Sequence, residues 1–220
     1  MKRSRLIFKP TVFVASLIPL GWLGFALWSD TVNNTRIMTT DPVQMLNREL
    51  GDWVLIFIII TLTIRPVSQI LKQSEFIAYR RMLGLFAFFY ALLHLCSYVG
   101  IDLQFDWHEL VKDVTKRNFI TVGIIAIILM TPLVITSNKI MVKRLGSQRW
   151  RKLHYLIYPI AILGVFHFYM MVRADYTRPS IYGAIILILL LYRLWNKFLK
   201  RKTRKANTND EAILLFSGKT

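Results

Sequence analysis

The run Met82-Leu-Gly-Leu-Phe-Ala-Phe-Phe-Tyr-Ala-Leu-Leu-His94-Leu-Cys-Ser-Tyr98-Val-Gly-Ile101 decides the fold. It is a 20-residue stretch without Asp, Glu, Lys or Arg. An α-helix needs about that length to cross a hydrocarbon core of about 30 Å. Three further stretches have the same character: Pro10 to Ser29, Asn118 to Asn138 and Leu153 to Val172. Two shorter ones, Trp53 to Ile64 and Pro179 to Tyr192, reach the required length if flanking side chains extend their polar ends to the interface. The pattern predicts an all-α membrane protein, a bundle of six transmembrane helices near 11–28, 47–66, 82–101, 118–137, 152–172 and 178–197.

Composition agrees. Of 220 residues, 55% are hydrophobic and 19% charged, with a mean hydropathy of +0.44. Soluble domains are less apolar and carry more charge, usually about a quarter of their residues. The formal net charge of +17 would suggest nucleic acid in a soluble protein. Here its placement gives it another role. With the amino terminus in the cytoplasm, 22 of the 29 Lys and Arg residues fall on the cytoplasmic side, and most acidic residues fall on the other. That asymmetry puts both termini in the cytoplasm and makes the basic face a contact for anionic lipid. No nucleic-acid partner is needed to explain it. The expected organisation is a cytoplasmic N-terminus at 1–10, a transmembrane domain at 11–197 and a basic, polar cytoplasmic tail at 198–220. The first segment reads as a span and not as a cleaved signal, because no A-x-A-like site follows Trp28. The single cysteine, Cys96, excludes a disulfide framework, and no C-x-x-C-H run offers covalent haem attachment.

Chemistry rests on histidine. Three of the four histidines fall in spans: His94 in the third, His154 and His167 in the fifth. A lone imidazole in an apolar helix is usually a packed residue satisfied by nearby backbone. Three in two helices point to ligation, and neutral imidazole is a common axial ligand of haem iron. At 1.5 Å per residue, His94 and His167 both lie about 18–21 Å from the cytoplasmic ends of their helices. They can therefore face each other across one porphyrin. His154 lies about 20 Å lower than His167. The residue at its level on the third span is Arg80, on the same helical face as His94. Arg80 suits a bidentate contact with a haem propionate; alternatively, Arg80 and Arg81 simply anchor the positive-inside end. His154 and His167 are out of phase on a straight helix, and Pro159 between them is expected to bend it. His108, in Asp106-Trp107-His108-Glu109, precedes an amphipathic stretch expected at the outer interface and reads as structural.

Several blocks carry a family resemblance. They are Arg80-Arg-Met-Leu-Gly-Leu, His94-Leu-Cys-Ser-Tyr98, Arg117-Asn-Phe-Ile-Thr-Val-Gly123, Trp150-Arg-Lys-Leu-His154-Tyr-Leu-Ile-Tyr158 and the later His167. In order and spacing they resemble the MsrQ (YedZ) proteins, haem-binding membrane subunits of the periplasmic protein-methionine-sulfoxide reductase system. That family belongs to the ferric-reductase-like transmembrane domains, in which two histidines on each of two helices hold two stacked haems. This chain departs at Arg80, where the wider group has histidine. The resemblance implies one haem b on His94 and His167, and a second on His154 with a non-histidine partner. It further implies bound FMN, for which no glycine-rich phosphate loop is present. Electrons are then expected to come from the quinone pool or a cytosolic flavin reductase. They leave for a periplasmic molybdopterin reductase subunit that repairs oxidised proteins outside the bacterial inner membrane. Terminal catalysis would sit on that partner. The alternative is a proton-coupled transporter with a histidine relay, which should show matched helix breaks in two halves; Pro132 and Pro159 do not match in that way.

Overall fold

A computed structural model describes the backbone of residues 2–33, 35–38 and 41–217 and the side chains of 9–33, 35–38 and 41–199. The chain is helical throughout its long elements: α1 (Lys2–Asn33), α2 (Pro42–Ile70), α3 (Arg80–Ser97), α4 (Trp107–Lys116), α5 (Asn118–Ile135), α6 (Lys139–Leu145), α7 (Ser147–Leu153), α8 (Ile157–Met171) and α9 (Thr177–Ser217). Six helical stretches are long and apolar enough to cross a membrane: Lys9–Asn33, Pro42–Ile70, Ser74–Asp102, Asn118–Ile135, Ser147–Met171 and Thr177–Leu199. Each overlaps one of the six spans expected from the sequence.

Start signals are local. Asp41 accepts from the Gln44 N–H at 3.0 Å and is followed by Pro42, so α2 opens with a capped turn. Asp106 caps α4 through the His108 and Glu109 amides, and Asn138 caps α6 through Met141. Gly146, at φ +74°, lets the chain turn between the two short basic helices α6 and α7.

Three boundaries differ from the expectation. The first helix begins at Lys2 and not near residue 11. The last continues as helix to Ser217, past the span end expected at 197; side chains beyond 199 lie outside the described residues. In the fifth span the helix changes to a 3-10 turn at His154–Leu156, and Pro159 sits in the first turn of α8. A proline there removes an N–H that has no partner within the helix anyway. The break lies before the proline.

α2 is the most enclosed of the spans and packs chiefly on α3, while α5 packs chiefly on α8. Lipid-embedded helices gain little from apolar burial against each other, so small residues and close contact hold them together. A Cβ on Gly164 of α8 would stand 2.9 Å from Leu55 Cδ2 of α2. The Tyr90 hydroxyl enters the α1 ladder, donating to Ser16 O at 2.9 Å and accepting from Leu20 N–H at 3.2 Å. Its ring packs on Phe57, with centroids 5.1 Å apart. Two arginines tie α9 to α2. Arg178 meets the buried Asp52 at 2.8 Å, and Arg193 donates to Leu62 O at 2.7 Å. Phe13, Ile18, Trp22 and Phe25 of α1 point outward as a lipid-facing surface.

Candidate functional site

Between the α2–α3 and α5–α8 pairs, the imidazoles of His94 and His167 face each other, with ring centroids 6.2 Å apart and planes at 85°. Each ring is held from the side by a neighbouring helix. His94 Nδ1 lies 2.9 Å from Asn47 O of α2, and His167 Nδ1 lies 2.6 Å from Phe119 O of α5. A carbonyl only accepts, so each Nδ1 carries the proton and each Nε2 keeps a free lone pair. Metal-bound histidine has this arrangement, with the second nitrogen donating to backbone or carboxylate.

The two hairpins repeat one construction. Four residues after Asn47 comes Gly51, and four after Phe119 comes Gly123. A Cβ on Gly51 would lie 3.3 Å from His94 Cε1, and one on Gly123 would lie 3.0 Å from His167 Nδ1 and Cε1. The carbonyl-to-histidine separations are also alike, 47 and 48 residues. α2–α3 and α5–α8 thus present their histidines through the same local construction. Ser97 extends the first unit, bonding Asn47 Oδ1 at 3.1 Å and His94 O at 3.0 Å.

Two metal–imidazole bonds of about 2 Å each, plus about 1 Å from each ring centre to its nitrogen, span about 6 Å. The observed 6.2 Å fits one metal between the rings. Among the described residues no three His, Cys, Asp or Glu side chains could close on a bare ion. Two protein ligands therefore suit a metal whose remaining positions are filled by a planar macrocycle, and the residues present fit haem.

His154 stands elsewhere. Its ring stacks on Trp150 at 3.9 Å, its Nδ1 lies 3.1 Å from Trp150 O, and its Nε2 is buried with no hydrogen-bond partner. Arg80 lies within electrostatic reach of His154, Arg65 and Arg193. The charged or polar neighbours of Arg80 are Arg193, Tyr158 and Arg65. Arg193 also donates to Tyr158 Oη at 2.8 Å, while its Nε is buried and unpartnered. A buried imidazole nitrogen beside several guanidinium groups again fits a metal-bearing group with acidic substituents.

The structure thus brings His94 and His167 together, and separately gathers His154 and Arg80. His108 lies exposed on α4, remote in role from both sets. Sequence reasoning missed Asn47, Gly51, Phe119 and Arg193. Main-chain carbonyls leave no signature in a sequence. Arg193 had one: it is followed by Leu194 and Trp195, which continue the apolar helix.

Residues 50–165 match the family model described as "Ferric reductase like transmembrane component". The chain is 44% identical over 184 residues to the Protein-methionine-sulfoxide reductase heme-binding subunit MsrQ of Caulobacter vibrioides, covering 84% of this chain and 85% of that protein. It is 42% identical to the like-named protein of Rhodospirillum rubrum over 89% of this chain and 91% of that one. The like-named protein of Xanthomonas oryzae pv. oryzae is 39% identical over 91% and 92%.

Proposed function

Since the chain belongs to the ferric-reductase-like transmembrane family and, within it, to the MsrQ subunits, we propose that it is the haem b-bearing electron-transfer subunit of a methionine-sulfoxide reductase system. It is a multi-pass membrane protein, with six helices among the described residues long and apolar enough to span. The observation that carries the reading is the pair of imidazoles 6.2 Å apart, each with Nδ1 fixed on a carbonyl.

His94 and His167 would hold the iron of an outer haem through Nε2, and His154 would serve a second, inner haem. Bound haem supplies one-electron chemistry, and the protein tunes it through axial ligands, burial and nearby charge. The residues here perform the positioning. Asn47 O and Phe119 O fix the tautomers and keep both rings from rotating. Arg80 and Arg193 offer guanidinium groups to propionates at the inner level. The two levels lie about 20 Å apart along the helix axis, so together they span much of the bilayer.

The basic loops face the cytoplasm and both termini lie there, in a bacterial inner membrane. The donor is the quinone pool or a cytosolic flavin reductase, for which the basic inner face suits an acidic docking partner. The acceptor is a periplasmic molybdopterin reductase subunit. FMN rests on the resemblance alone, and nothing among the described residues marks a flavin seat. A histidine relay for transport draws no support from imidazoles whose Nδ1 atoms are committed to carbonyls.

The test is the visible spectrum of the purified protein, followed by turnover with its partner. A Soret band that sharpens and shifts on reduction, and reoxidation by the methionine-sulfoxide reductase subunit, are the expected results. A colourless protein, or a reduced haem that the reductase cannot oxidise, defeats the proposal.

A further inference from the structure

We infer that Gly51 and Gly123 are positioning residues which, with the carbonyls of Asn47 and Phe119, set the planes of the two axial imidazoles nearly perpendicular. The inference rests on the reading of His94 and His167 as ligands of one iron. In each hairpin the imidazole lies over a glycine one helical turn beyond the carbonyl that binds it. The hydrogen bond fixes where Nδ1 points, and the missing Cβ leaves room for the ring to lie against the helix. Neither element alone fixes a plane. A bond without the space would push the ring off the carbonyl, and space without the bond would let the ring turn about χ2, a broad torsion.

The tolerances differ. An alanine Cβ at Gly123 would stand 3.0 Å from His167 Nδ1 and Cε1, so the ring must shift by a few tenths of an ångström away from its 2.6 Å bond to Phe119 O. At Gly51 the corresponding contact is 3.3 Å, and a smaller shift relieves it. Gly84 provides a control, because its Cβ would meet only Thr61 Cγ2 at 3.8 Å, an ordinary contact.

Mutual ligand orientation is visible in a ferric haem. Imidazole planes near 90° leave the iron d orbitals nearly degenerate and give a strongly anisotropic low-spin electron paramagnetic resonance signal. Parallel planes give a rhombic one. A displaced ring and a weakened Nδ1–H bond also change imidazole basicity, which moves the midpoint potential.

The experiment uses full-length protein, with the outer haem identified as the signal lost in His167→Ala. The wild type should show the strongly anisotropic signal. Gly123→Ala should shift both that signal and the outer haem's potential, Gly51→Ala should shift them less, and Gly84→Ala should leave both in place. A rhombic wild-type signal overturns the inference and needs no variant to do so. An unchanged spectrum and potential in Gly123→Ala overturn it equally. A wild type that carries no haem sinks the reading of the ligands instead, which keeps the two failures distinct.

Discussion

His94 and His167 meet across the bundle with each Nδ1 committed to a carbonyl, whereas His154 stacks on Trp150 beside a cluster of arginines with its Nε2 buried and unpartnered. The two levels are built from the same two hairpins. The lower residue of the α3 hairpin is Arg80, where that of the α8 hairpin is His154. Substituting arginine exchanges a ligand for a permanent cation, since guanidinium keeps its proton. At the level of His94 and His167 two imidazoles with Nδ1 fixed on carbonyls stand ready to hold one metal under the proposed reading. The inner level offers one imidazole and a group of guanidinium charges that suits an anion. A repeat can thus keep its backbone construction while its two levels diverge in chemistry.

The contrast is broken most severely by removing an outer ligand. His94→Ala or His167→Ala should abolish the outer haem and reduce electron delivery to the partner to background, measured as iron per chain and as reductase-coupled turnover. Retention of a full haem complement in both variants would contradict the pairing.

Next comes the inner level. His154→Ala should remove only the inner haem, leaving the outer signal and its potential recognisable. Arg80→Ala should keep His154 in place yet weaken retention of the inner haem by about tenfold, the scale expected for losing a supporting contact around a metal site. If Arg80→Ala leaves retention and potential untouched, Arg80 is only an interfacial anchor.

Arg178→Ala tests the scaffold and not the chemistry. It leaves Asp52, 7% exposed, without its 2.8 Å partner. The Arg178 side chain is itself mostly exposed, so the cost is about 1–2 kcal/mol and not the larger penalty of a fully buried pair. Thermal unfolding followed by loss of the Soret band measures it. The smallest effect belongs to His108→Ala, on the exposed surface of α4, which should change neither haem content nor turnover.

Much of this was legible in the sequence, and the reason is physical. Charge-free runs of bilayer length mark spans whatever they pack against, so six helices emerge without tertiary knowledge. Helical rise converts residue number to depth, which placed His94 and His167 at one level before any contact was known. What stayed hidden depends on backbone and space. Asn47 and Phe119 act through carbonyls that any residue carries, and Gly51 acts by lacking an atom. Apart from one glycine and one histidine in each unit, what the two share is backbone geometry, which leaves little similarity of sequence to betray it. Sequence places a bend at Pro159, because proline is the visible cause of bends; the helix breaks instead at His154–Leu156, and Pro159 sits where a helix start tolerates it.

Near-infrared magnetic circular dichroism of the oxidised protein bears most directly on the iron's two axial partners, because its charge-transfer band moves with their identity. Two imidazoles on one low-spin iron predict the bis-histidine band, lost in either His94→Ala or His167→Ala. Absence of that band from the oxidised protein, or a bis-histidine band that survives both substitutions, would contradict it.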